Sequence, residues 1–386
     1  MKQKVAIVSS LTGGLGHYCA HLVKPLSQYC DLKFITYPQI DLSGAVTNQI
    51  TDTFIKRLIK WPRFDLIESD PMSIVEIGTY LKERKFGVVN IHVGTTVKRK
   101  IYYFSTFLQY VKGINNMKFV FTLHDVLPFD EDKKLTPLLK SFYRLADHYT
   151  VGNELEKERL RKRFKISEEK ITVIHHGIYN LFNHNVYDPI TAKSYLGLPK
   201  DKKTILFFGF LREYKGFEQL IKAANILKKK RNDFIVYVGS GLKYTPKILI
   251  GNSMKLISKY GLSNNFELNL NYLDTSEIEA VFKASNIVAL PYLHVSQSGV
   301  LMMATGFARP SVITDIFYDR KWVDGKAGLV AERGNYQDLA KKLTYLLDNP
   351  DKAYEMGKFG YDYAMQHFNW DTLAEKYASV YSKVIE

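Results

Sequence analysis

Cysteine is almost absent: Cys19 and Cys30 are the only two in 386 residues. Two thiols can neither frame a chain of this length with disulfides nor supply a metal-ligand pattern, so a reducing, cytoplasmic setting is expected. No run approaches the roughly 20 unbroken apolar residues of a membrane-spanning helix. The apolar run Val5–Val8, behind Lys2 and Lys4, is too short for a signal peptide. Low-complexity segments and short solenoid repeats are missing as well. Acidic side chains are the scarcer charge, 39 against 54 basic ones, for a formal net charge of +15. With 46% hydrophobic and 24% charged residues the composition is that of an ordinary globular chain. Disordered, collagen-like and disulfide-scaffold classes are thereby excluded. The length exceeds what one core usually organises and predicts two domains.

The positive excess concentrates at the front, where residues 1–113 hold 15 basic and 8 acidic side chains. Such an excess attracts phosphates, anionic lipid or nucleic acid alike, and serves solubility equally well.

Short β-branched runs alternate with helical stretches along the first half. Lys4–Ser9 is followed by Thr12-Gly13-Gly14-Leu15-Gly16 and a helix predicted from about His17 to Cys30. Further strands are predicted at Leu32–Tyr37, Val88–His92, Phe119–His124, His148–Gly152 and Ile171–His175. Apolar without clean alternation, they suit a parallel sheet covered on both faces. The theme restarts with Thr204–Phe208, a helix after Lys215-Gly216 carrying Phe217, Leu220, Ile221, Ala224 and Leu227 on one face, then Phe234–Val238 and Asn286–Leu290. Tyr179 to Lys203 reads as a linker. Two Rossmann-like, doubly wound α/β domains in series are expected, with ligands at the carboxyl ends of their strands and a cleft between them.

Two segments at such ends carry chemistry. Gly209-Phe210-Leu211-Arg212-Glu213-Tyr214-Lys215-Gly216 joins a strand to a helix, and its two cations beside a helix N-terminus suit a diphosphate. An exposed loop with solvated charges is the plainer account. Ser296-Gln297-Ser298-Gly299-Val300 precedes a small-residue helix, Leu301 to Ala308, and offers hydroxyls, an amide and backbone N–H groups without negative charge. It could cradle a phosphate or a sugar, or be an ordinary N-cap.

These two segments, with Leu290-Pro291-Tyr292 between them and Arg309-Pro310 after them, resemble the donor domain of family-4 retaining glycosyltransferases of GT-B fold. Gly13-Gly14, Thr122-Leu123-His124-Asp125 and Val173-Ile174-His175-His176-Gly177 are similar to the acceptor half. His367-Phe368-Asn369-Trp370 and Tyr377–Val384 resemble the family's last helices. The resemblance divides the chain into an acceptor-binding domain (1–182), a nucleotide-sugar domain (183–365) and C-terminal helices (366–386) that cross back to the first domain. It departs in two places. Phe210 follows Gly209 where many members have arginine, leaving Arg212 to supply that charge. Val295 and Met303 stand where the family has paired glutamates, as in a branch of the family with Ser/Thr-Gln-Ser-Gly-Val.

The resemblance implies transfer of a sugar from a nucleoside diphosphate sugar, UDP by default, to an acceptor hydroxyl with retained anomeric configuration. The acceptor would be a glycan or a lipid-linked glycan, as in polysaccharide synthesis. Arg212, Lys215 and the N–H groups near Ser298-Gly299-Val300 would stabilise charge on the departing diphosphate. Gly13, Gly14, Gly209, Tyr272 and Gln297 would complete the donor site, and Gly16, His17 and Asp125 would meet the acceptor. A lone histidine at a strand end such as His124 reads as structural; the resemblance makes it a lining of the donor sugar. His175-His176, directly before Gly177, reads as structural. No cofactor and no metal are expected, and Asp130-Glu131-Asp132 reads as solvated carboxylates.

Thr53–Trp61 places Phe54, Ile55, Leu58 and Ile59 opposite Lys56, Arg57 and Lys60, and Lys98-Arg99-Lys100 precedes Ile101-Tyr102-Tyr103-Phe104. Either suits an anionic membrane surface, on the inner face of the membrane, or a helix packed on a core. Two other functions compete. An NAD(P)-dependent oxidoreductase would want Gly or Ala at Cys19 and an acid ending the second strand, where Phe34-Ile35-Thr36-Tyr37 has none. A nucleic-acid-binding protein is suggested by charge alone, with no recognition motif, and no nucleic-acid partner is expected.

Overall fold

A computed structural model describes residues 2–10, 13–36, 39–40, 46–47, 63–65, 72–94, 98–114, 116–127, 135–241, 245–271 and 273–386. Two compact units divide the chain: Met1–Gly177 with Asn369–Glu386, and Ile178–Phe368. Thr53–Trp61, Asp130-Glu131-Asp132 and Tyr272 lie outside the described residues.

Strands of the first unit are β1 (Gln3–Ser9), β2 (Cys30–Thr36), β3 (Gln39–Ile40), β4 (Val46–Thr47), β5 (Arg63–Asp65), β6 (Val88–Val93), β7 (Lys118–Leu123), β8 (His148–Val151) and β9 (Ile171–Val173). Among the described residues, seven form a parallel sheet in the order β5-β2-β1-β6-β7-β8-β9, while β3 pairs with β4. Every residue of β6 is buried, as in a strand covered on both faces. On one side Phe107, Phe119, Phe121 and Phe142 anchor an apolar core, each such ring adding about 1.5–3 kcal/mol by leaving water. The other side is more polar and involves the first helix, Gly13–Leu26, and the last, Trp370–Ile385. Asn369 caps that last helix by accepting from the Thr372 N–H. Its Trp370 fills the space beside Gly177, where a Cβ would stand 2.3 Å from the indole.

The second unit repeats the plan with β10 (Lys203–Phe208), β11 (Phe234–Gly239), β12 (Phe266–Asn269), β13 (Ile287–Leu290), β14 (Ser311–Thr314) and β15 (Gly328–Ala331). Their order is β12-β11-β10-β13-β14-β15, again parallel. In both sheets the chain starts in the middle, runs to one edge and returns to the other side of its first strand. The reversal falls between β1 and β6 in one unit and between β10 and β13 in the other. Ligands of open α/β sheets bind at this point.

Element bounds shift from those read in the sequence. The first helix opens at Gly13 rather than near His17, and Cys30 opens β2 instead of closing that helix. The small-residue helix runs Gly299–Gly306 and stops before Ala308, whose φ of 51° lies in the left-handed region. The stretch 179–203 contains a helix, Pro189–Tyr195, opened by a capping box between Asp188 and Thr191. Buried Glu279 fastens its approach by accepting from the N–H groups of His184, Val186 and Tyr187.

Candidate functional site

In the second unit the site grows from the end of β10. Gly209 donates its N–H to Gly239 at 2.8 Å and takes φ of 95°, which glycine alone adopts cheaply. The Ser240 and Thr245 hydroxyls accept from the Leu211 N–H, at 3.1 and 3.2 Å, and fix the following bend. A single 3₁₀ turn, Glu213–Lys215, swings the Lys215 side chain back over the glycine. A Cβ at Gly209 would lie 2.6 Å from Lys215 Nζ and 3.7 Å from Val300.

The end of β13 supplies the other wall. Ser298 caps Gly299–Gly306 by accepting from the Leu301 N–H at 3.2 Å. The earliest N–H groups of a helix have no partner within it, so this turn presents Gly299 and Val300 as donors. Tyr292, buried, shares a hydrogen bond with Ser298 and carries Lys215 Nζ 5.6 Å above its ring. The two loops are stitched together: Leu293 N–H donates to Tyr214 at 2.6 Å, and Gly216 sits under the Pro291 carbonyl.

Desolvation, and then the neighbouring charge of Arg212, pull Lys215 down from 10.5 to about 8. Among the described residues no carboxylate forms an ion pair with Arg212 or Lys215. Two cations beside a helix start, with no carboxylate paired to either among the described residues, make a local potential that favours an anion. Met303 and Val295 are buried, 2% and 7% exposed, so neither can offer a side chain to a ligand's hydroxyls. Gln297 is partly exposed in the same loop.

In the first unit Gly13, with φ of 56°, and Gly14 form the first turn after β1. Among the described residues nothing lies within 4 Å of a Cβ placed on either, so their packing does not require glycine there. Gly16 and His17 are buried in the same helix. His124 leaves β7 with its N–H donated to Val93 at 2.9 Å, and Asp125 follows, half-buried.

Sequence reasoning missed what surrounds His124. Its Nε2 lies 3.2 Å from His92 Nδ1, and Tyr18 packs in T-shaped fashion against the rings of His92, His124, His176 and Trp370. Burial lowers His21 and His92 to about 3, His176 to about 4, and His124 well below its ordinary value. All four rings are therefore neutral near pH 7. The available signal was Asn90 and His92 interrupting an otherwise apolar strand. His175 holds the Gly152 carbonyl at 2.9 Å, a loop-fixing contact.

Residues 12–179 match the model of Glycosyltransferase Family 4, and residues 190–363 that of Glycosyl transferases group 1. With these two models lying end to end over nearly all of it, the chain belongs to the family-4, group 1 glycosyltransferases. It is 27% identical over 249 residues to a D-inositol 3-phosphate glycosyltransferase of Corynebacterium aurimucosum, covering 61% of this chain and 57% of that protein. The matched stretch thus spans somewhat over half the length of such relatives. Solved structures share the GT-B fold. HepE of Anabaena in complex with UDP-glucose superposes with a TM-score of 0.79 at 16% identity, covering 98% of this chain and 99% of that one. A glycosyltransferase from Rickettsia africae gives 0.76 at 16% identity, with 100% and 99% coverage. Among the described residues no helix is long and apolar enough to cross a membrane.

Proposed function

We propose that the chain moves a sugar from a nucleoside diphosphate sugar, UDP-glucose foremost, to a hydroxyl of a glycan or lipid-linked acceptor, with retention of anomeric configuration. The observation that carries this reading is Lys215 held over Gly209, beside Arg212 and the start of Gly299–Gly306, at the reversal point of the second sheet. HepE was solved with UDP and with UDP-glucose, which supports the choice of nucleotide.

Breaking the glycosidic bond builds negative charge on the departing diphosphate while the sugar gains oxocarbenium character. Donors fixed in advance stabilise that charge without reorganising. Arg212 and Lys215 supply it as cations, Gly299 and Val300 as N–H groups. Gly13 and Gly14 let backbone approach the phosphates closely. His124 meets the donor sugar, and the leaving diphosphate takes the acceptor proton, so no side-chain base is assigned. The two cations do the charge-neutralising work without a metal.

Arg212→Ala combined with Lys215→Ala tests the reading, with UDP-glucose turnover and the anomer of the product followed by NMR. The expected loss in kcat/KM is about 100-fold or more, at a melting temperature close to that of the unaltered protein. Unchanged turnover in the double variant refutes it.

A further inference from the structure

Asn90 and His92 are alternate residues of β6 and share a face of the sheet; Thr122 on β7 stands in register with His92, and Thr150 on β8 with Thr122. All four are buried. Their own hydrogen bonds form one directed chain, with the Tyr377 hydroxyl as a further partner of Thr122 and Thr150. Thr150 donates to the Thr122 hydroxyl at 2.9 Å, and Thr122 donates to Asn90 Oδ1 at 3.0 Å. The amide is thereby oriented, and its Nδ2 donates to the Tyr381 hydroxyl at 2.6 Å and faces His92 Nε2 at 3.5 Å. A ring nitrogen facing an N–H holds its lone pair there. A neutral imidazole carries one proton, which for His92 then sits on Nδ1, the atom 3.2 Å from His124 Nε2.

We propose that this chain sets the tautomer of His124: His92 donates from Nδ1, His124 accepts at Nε2, and the proton of His124 is carried on Nδ1. His92 and Asn90 are then positioning residues. The inference rests on the reading of His124 as the residue that meets the donor sugar. In this tautomer His124 offers a hydrogen bond through Nδ1 rather than a lone pair, which fits a sugar hydroxyl oxygen and not the removal of a proton. Burial keeps both rings neutral over the working range of pH, so the arrangement persists.

The test uses the full chain labelled with ¹⁵N-histidine. Long-range ¹H–¹⁵N spectra distinguish the two tautomers, and His92→Gln and His124→Asn identify the signals. The expected result is an Nδ1–H ring at both positions. Thr122→Val, which frees the Asn90 amide to turn, is expected to shift both rings toward Nε2–H and to cost about tenfold in kcat/KM for UDP-glucose, the worth of one neutral hydrogen bond. Thr122→Ser is expected to restore both spectrum and rate. An Nε2–H ring at His92 or His124 in the unaltered protein, or spectra indifferent to Thr122→Val, overturns the proposal whatever the activity. Spectra as expected, with UDP-glucose turnover intact in His124→Asn, would instead leave the tautomer chain standing and remove the sugar-contact role of His124.

Discussion

The hydroxyls of Tyr18 and Tyr377 lie 2.9 Å apart across 359 residues of chain. Tyr18 belongs to the first helix and Tyr377 to the last, and both are buried. Tyr377→Phe removes this bond, together with those that Tyr377 makes to Thr122 and Thr150, from a buried setting. The expected destabilisation is about 1–3 kcal/mol, measured by urea unfolding. Tyr18→Phe in the same background should recover part of it, since removing both partners costs less than removing one. Strictly additive losses would show that the two hydroxyls are not coupled.

Lys215 predicts a pH dependence of donor use. Its folded pKa of about 8 lies below the ordinary 10.5, so the unfolded chain binds the proton more tightly between these values. Stability contributed by this group therefore rises as pH climbs from about 8 toward 10.5, while its charge, needed for the diphosphate, disappears over the same window. Values of kcat/KM for UDP-glucose, which report the free enzyme, should fall above about pH 8. Lys215→Arg, charged throughout, should flatten that limb even if the rate drops. A limb unchanged in Lys215→Arg would assign it to another group.

The buried histidines predict the opposite limb. His21 and His92 at about 3 and His176 at about 4 are depressed below 6.5, chiefly by burial. Unfolding lets each take up a proton, so their contribution is complete above about 6.5 and is lost as pH falls toward the folded values. The limiting slope is about 1.4 kcal/mol per pH unit for each histidine. Urea midpoints should fall steeply between pH 6.5 and 4.5, and less steeply in His21→Gln. A midpoint constant over that range would contradict the burial of these rings.

The central strands were legible in the sequence because a strand covered on both faces is largely apolar, as Thr204–Phe208 and Phe234–Val238 are. Phe266–Asn269, Ser311–Thr314 and Gly328–Ala331 escaped notice. At four residues each, with Glu267, Asn269, Ser311 and Thr314 among them, they lack a distinguishing run. Lys215 and Ser298 stood out only as polar groups at strand ends beside helix starts, where a solvated loop or an ordinary N-cap would read the same, and it is the family resemblance that gave them roles. The ring cluster around Tyr18 was invisible because it is assembled from residues 18, 21, 92, 124, 176 and 370, and no local pattern records such convergence. Glu279 was missed for the same reason: a lone carboxylate in a helix gives no hint that three distant N–H groups require it.

Asn369–Glu386 belongs to the unit that the chain begins, not to the one it has just finished. During synthesis Tyr18, Asn90 and the space beside Gly177 must wait, uncovered, while some 190 intervening residues are made. The second unit is contiguous in sequence and can mature by itself, whereas the first is sealed only once the helix Trp370–Ile385 has been made.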